Sequence, residues 1–125
     1  MRFMCTVRMD PKIIATMTAS DWKAFQNDTR KFDHELITDG RFVMASPLDG
    51  EAVRTIRLRA GTTLVTDGPF AETKEFLAGF IIFDAATLEE ALSIAQRSAF
   101  VRVGSVELRA LTDYEDRPSA GVSEI

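Results

Sequence analysis

Apolar residues recur along this chain with two periods that alternate in a definite order. Near the N-terminus, Phe3, Cys5, Val7 and Met9 fall on one side of an extended segment, with Arg2, Met4, Thr6 and Arg8 on the other. That two-residue alternation predicts a first strand. Pro11 follows, and residues 12–18 read as an irregular, rather apolar connector. The period then changes. Trp22, Phe25, Thr29, Phe32 and Leu36 are spaced by threes and fours, which places them in one stripe of a helix of about five turns. Thr18 or Ser20 suits its N-cap, Asp21 its first turn, and Asp39-Gly40 its C-terminal end.

A short strand comes next, with Phe42 and Met44 on one side and Val43 and Ala45 on the other. After a loop at residues 47–50, residues 53–59 and 62–66 predict a hairpin around Ala60-Gly61, rich in β-branched side chains. Residues 77–83 form an almost wholly apolar strand. Thr87-Leu88-Glu89-Glu90 has the form of a capping box, and Leu88, Ala91, Leu92 and Ala95 mark the apolar face of a second helix. Gly104 opens a last strand with Val106, Leu108 and Ala110 on one face. With the hairpin set aside, the order is β-α-β-β-α-β, a ferredoxin-like α+β arrangement with both helices on one face of an antiparallel sheet. Beyond Thr112 the composition turns polar. One domain over residues 1–112 is therefore expected, followed by a polar tail over residues 113–125.

The strand at residues 77–83 constrains the assembly. Phe80 and Ile82 point one way, Ile81 and Phe83 the other, and helices can cover only one of those faces. Leaving the second in water costs on the order of 1.5–3 kcal/mol per large side chain. Pairing two sheets face to face in a twofold homodimer buries it. The expected fold is thus a dimeric α+β barrel.

Upstream of that strand, Asp67-Gly68-Pro69 is the strongest turn signal in the chain, and Pro69 is expected to push Gly68 toward an extended backbone. The string Asp67-Gly68-Pro69-Phe70-Ala71-Glu72-Thr73-Lys74-Glu75, followed by Gly79-Phe80, resembles the signature of the DGPF branch of the YCII-related family. The resemblance spans roughly residues 2–111. It implies an α+β fold that dimerises into a barrel, and no settled activity. In the wider family, a histidine on the inner face of the first helix and an aspartate after the second helix are proposed to act as an acid/base couple, and one relative removes HCl from a chlorinated hydroquinone. Counting back from Gly40 and from Gly104 puts Thr29 and Ser98 at those two positions. A hydroxyl cannot exchange a proton near neutral pH without an activating neighbour, so that mechanism is not carried over. Members of the branch are often encoded beside alternative sigma factors, which implies a bacterial regulatory setting and a sigma factor as a candidate partner.

Composition narrows the function classes. Across 125 residues the net charge is −4 and the fifteen basic residues are dispersed, which argues against nucleic acid as a partner. No apolar run reaches the roughly 20 residues of a membrane span, and Met1-Arg2-Phe3-Met4 lacks a signal-peptide layout. The single cysteine, Cys5, reads as a small buried hydrophobe in a reducing compartment, so the cytoplasm is expected. One Cys and one His build no zinc site, and phosphate and dinucleotide loops are missing, so no cofactor is expected. His34 should face solvent among Lys31, Asp33 and Glu35.

The remaining candidates are polar groups around the sheet. Asp67 most often caps its own turn in an Asp-Gly pair, ahead of binding a cation or accepting a proton. Phe70 reads first as a core plug and second as a cleft wall. Thr6, Arg8, Glu107 and Arg109 lie on the strand faces turned away from the helices. They would form an interface ion-pair network or, with arginine as a bidentate fork, a cleft for a small anionic or phenolic ligand. The expected ligand-binding set is Arg8, Thr29, Ser46, Asp67, Phe70 and Arg109. The overall expectation is a small-molecule-binding or regulatory homodimer. The alternatives are a lyase or isomerase using a cleft at the sheet face, and a partner-binding module linked to a sigma factor.

Overall fold

A computed structural model of the chain describes residues 1–71 and 73–113; most of the tail expected after residue 112 lies outside them. The first strand, β1, is Arg2–Met9. A four-residue helix, α1 (Pro11–Ile14), replaces part of the irregular connector, because the Asp10 side chain accepts the Lys12 amide and Pro11 occupies the first helical turn. The long helix α2 is Ala19–Thr38. Thr18 is its N-cap, and a full capping box joins the Thr18 and Asp21 side chains to each other's backbone amides. Gly40, at φ +71, ends it.

The strands β2 (Phe42–Pro47), β3 (Arg54–Arg59), β4 (Thr62–Asp67), β5 (Phe76–Asp84) and β6 (Gly104–Ala110) complete the β structure. Helix α3 (Leu88–Ala95) and a 3-10 turn at Ala99–Arg102 separate β5 from β6. β2, β5, β1 and β6 form one sheet in that order, with every neighbouring pair antiparallel. This is the ferredoxin-like α+β order, with β3 and β4 inserted as a separate two-stranded ribbon.

The helices cover one face of the sheet. Phe3, Cys5, Ile81 and Phe83 from the strands meet Phe32 and Leu36 of α2 and Ala91, Ile94 and Ala95 of α3. A neighbouring cluster joins Met9 and Phe25 to Ala99 and Val103, with Phe25 edge-on to both Trp22 and Phe100. Burying each of the large side chains contributes about 1.5–3 kcal/mol.

Two expected faces are revised. The β2–β5 register shifts between Phe42 and Met44, so Phe42 and Ala45 both pack on the core while Met44 is exposed. A bulge re-aims the side chains after it, and strict alternation fails there. On α3 the buried residues are Ala91, Ile94 and Ala95, whereas Leu88 and Leu92 are exposed. The capping box of α3 is only half formed. Thr87 accepts the Glu90 amide, but the Glu90 carboxylate is drawn to the Ala86 amide and the Arg41 guanidinium.

Close backbone approach sets the edge at β6. A Cβ at Gly104 would stand 2.0 Å from the Arg8 carbonyl oxygen and 2.9 Å from the Met9 Cα. Backbone cannot yield as a side chain can, so Gly104→Ala is expected to lower unfolding free energy by about 3 kcal/mol. Gly50→Ala, which meets nothing within 4 Å, should stay within about 0.5 kcal/mol of the parent in urea unfolding. Equal midpoints for the two variants would disprove the close-approach explanation.

Candidate functional site

The face of the sheet opposite the helices carries the polar groups singled out in the sequence. Alternation along β1 turns Met4, Thr6 and Arg8 to this side. Across the sheet, Met44, Ile82, Met4 and Arg109 stand in one cross-strand row, and Ser46, Phe80, Thr6 and Glu107 in the next. Arg8 is paired with Ser105 on one side and Leu77 on the other. The β2–β5 half of the face is therefore largely apolar, and the β1–β6 half is polar.

Within the polar half, Arg8 donates to the Thr6 hydroxyl at 3.1 Å and Arg109 donates to the Glu107 carboxylate at 2.9 Å. The Arg109 guanidinium holds the Glu107 carboxyl below its ordinary range, helped by the charge of Arg8 and the Thr6 hydroxyl and opposed by desolvation. Glu75 reaches the same edge, its carboxylate accepting the hydroxyl of Ser105 beside Arg8, so two guanidinium groups face two carboxylates, and the planar guanidinium donors suit a bidentate oxyanion.

The other expected ligand-binding residues are not gathered there. Ser46 shares the face, but its hydroxyl donates to the Pro47 carbonyl. Thr29 sits on α2, on the far side of the sheet, and donates to the Phe25 carbonyl at 2.9 Å. Asp67 is exposed at the end of β4 and meets Arg54 at 3.1 Å. Among the described residues its carboxylate takes this ion pair in place of the expected turn-capping bond. Gly68 has φ +90, so the expected extended backbone before Pro69 gives way to a conformation open to a residue without Cβ. Phe70 is not a core plug. The residue is 79% exposed, with the Arg57 guanidinium 5.1 Å from its ring centroid. This is an exposed cation–π contact.

The two residues counted onto the family's acid/base positions are both held by local backbone. The Thr29 hydroxyl is committed to Phe25, and buried Ser98 caps the 3-10 turn by accepting the Phe100 amide. His34 is exposed, as the helix stripe predicts. Burial pushes the Cys5 thiol up to about 11, which makes it a poor nucleophile.

One feature escaped the sequence reading. The side of α2 next to its core stripe and the 3-10 turn enclose a groove of about 370 Å³ between Met17, Asp21, Phe25, Asp28 and Arg102. Asp28 and Arg102 bridge at 2.7 Å and divide it from a smaller groove of about 220 Å³ lined by Lys31, Glu35 and Arg97. Asp21, Asp28, Lys31 and Glu35, charged residues on one side of the helix with Ala24 between the first two, were the available signal, but such a series reads equally as a solvated helix side.

The charge cluster on the sheet has a pH signature. A carboxyl held low by arginine stabilises the fold above its unfolded pKa, and that contribution is lost as pH falls through its lower folded value. Glu107→Gln should therefore lower the thermal midpoint slightly at pH 7, and the difference from the parent should close as pH falls below about 4. An unchanged acid limb would show that the pair contributes nothing. Cys5 gives a second check: it should resist a thiol-specific disulfide reagent in the native protein at pH 8 and react once guanidinium unfolds the chain.

Comparison with known proteins agrees with this architecture. A solved structure, 5-chloro-2-hydroxyhydroquinone dehydrochlorinase (TftG) from Burkholderia phenoliruptrix AC1100 in complex with 2,5-dihydroxybenzoquinone, superposes with a TM-score of 0.50. The match covers 94% of this chain and 100% of that one at 14% identity, a likeness of fold alone. A curated relative, "Uncharacterized protein R00369" of Rhizobium meliloti (strain 1021), is 50% identical over 66 residues. That alignment covers 51% of this chain and 53% of the relative, so the chain matches about half the length of the curated protein. In the described residues no helix is long and apolar enough to cross a membrane. The model of the YCII-related domain matches residues 1–115, and the chain belongs to the YCII-related family.

Proposed function

We propose that this protein is a homodimer that binds a small anionic or phenolic molecule between its sheet faces. The observation that carries the reading is the free face of the sheet, where an apolar half beside β2 and β5 adjoins the Thr6, Arg8, Glu107 and Arg109 cluster. Exposed apolar surface of this kind supports self-association. The guanidinium groups beside it would give an enclosed cleft a preference for oxyanions. The complex of the dehydrochlorinase with a dihydroxybenzoquinone makes hydroxylated aromatics the first ligands to try.

A regulatory or binding role fits better than turnover. Thr29 and Ser98, which stand where the family's acid/base pair would be, spend their hydroxyls on backbone partners. Lyase or isomerase chemistry on this chain would need a different proton-transfer group, with Glu107 and Glu75 as the carboxylates beside the proposed cleft. A module that docks on an alternative sigma factor is the remaining reading, and a cytoplasmic setting suits all three.

Sedimentation at about 10 μM protein should give a dimer, an affinity well within the range of standard interfaces. In a thermal-shift screen of small carboxylates, phenols and hydroxyquinones, a hit at 100 times its Kd should stabilise by about 2.7 kcal/mol. Arg8→Ala and Arg109→Ala should each abolish that shift. A hit retained in both variants moves the ligand elsewhere. No hits, with a sigma factor held in pull-down, would replace the ligand reading with the partner module.

A further inference from the structure

The β3–β4 ribbon is covered on the wrong side. Its register pairs Ile56 with Val65, Leu58 with Thr63 and Arg54 with Asp67 on one face. Thr55, Arg57 and Arg59 alternate onto the other face, together with Leu64. Ile56, Leu58 and Val65 are 68%, 65% and 60% exposed, whereas Thr55 and Arg57 are half-buried. The polar face is sheltered by its own turn: Thr55 donates to the Gly68 carbonyl, and Arg57 donates to the Phe70 carbonyl while covering the Phe70 ring. Among the described residues the apolar face has no comparable cover.

An isolated two-stranded ribbon is marginally stable at best in water. This one is built with care nonetheless: Ala60 at φ 51 and Gly61 at φ 78 form the primed turn whose twist suits a two-residue hairpin. Its apolar face also has the composition of an interface core. The only charges on it, Arg54 and Asp67, neutralise each other at 3.1 Å at the end of the ladder, and interface cores are depleted in unpaired charge.

We infer that the β3–β4 hairpin is a clasp that docks its Ile56–Leu58–Val65 face onto a second copy of this chain, extending the interface made by the free sheet face. This rests on the proposed homodimer. The second copy is the occupant because the ribbon is inserted between β2 and β5, the two strands that carry the apolar half of that free face. The two surfaces are thus continuous in the chain. The sheet face alone has polar groups at Ser46, Thr6, Glu107, Arg109 and Arg8, leaving its apolar area confined to one side. A stable dimer needs about 800 Å² per partner, and Ile56, Leu58 and Val65 add exposed apolar surface to that of the sheet face.

The test uses the full chain. Ile56→Asp with Leu58→Asp should raise the dimer dissociation constant at least 100-fold in sedimentation equilibrium, with far-UV circular dichroism unchanged. Arg57→Ser, on the sheltered face, should leave the constant within twofold. Hydrogen exchange on the unmodified protein gives a second readout: amides of β3 and β4 should be protected at dimer-forming concentration and exchange freely on dilution. A dimer whose constant is unmoved by the double substitution, or whose hairpin amides exchange freely, overturns the clasp and leaves the sheet-face dimer standing. A parent protein that sediments as a monomer overturns both. Hairpin protection that persists in the monomer shows cover from the chain itself and overturns the clasp.

Discussion

A β-sheet has two faces, and this chain supplies helices for one. That imbalance governs most of what the structure displays. β1 and β5 place Phe3, Cys5, Ile81 and Phe83 against α2 and α3, where they are buried. The same alternation turns Met4, Phe80 and Ile82 outward, where they are only partly covered. The helical face is a conventional core. The open face is where charge, hydroxyls and apolar surface coexist.

The open face is divided by strand order. Because β1 lies between β5 and β6, the apolar strand and the charged strand flank the same neighbour. Thr6 therefore meets Phe80 on one side and Glu107 on the other. A site with an oily wall and a charged wall follows directly from that adjacency. Thr29 on α2 and Ser98 at the 3-10 turn, the residues counted onto the family's acid/base pair, lie away from this face and hold hydroxyls bound to local backbone.

The signature turn has a mechanical role. Gly68 accepts a positive φ, and its carbonyl receives the Thr55 hydroxyl while its amide donates to Val53. These bonds fasten the base of the hairpin and leave Phe70 beside Arg57. The turn therefore closes the polar side of the ribbon and commits the apolar side to something outside the subunit core.

Much of the fold was determined by local pattern. The period of two at residues 3–9, the stripe from Trp22 to Leu36, the Thr18 cap and the Ala60-Gly61 turn each follow from short-range sterics and hydrogen bonding, and each stands in the structure. The pairing of Arg8 and Arg109 on one face was also legible, since strand alternation and ferredoxin-like order suffice to place them. What only the tertiary structure decided depends on contacts between distant residues. The β2 bulge turned Ala45 inward and Met44 outward, α3 buried Ile94 and exposed Leu88, and Arg41 drew Glu90 away from its cap. Phe70 went to the surface, where its ring lies against the Arg57 guanidinium. Period and propensity are properties of a segment, whereas register, bulges and ion pairs are settled by whatever the rest of the chain brings alongside.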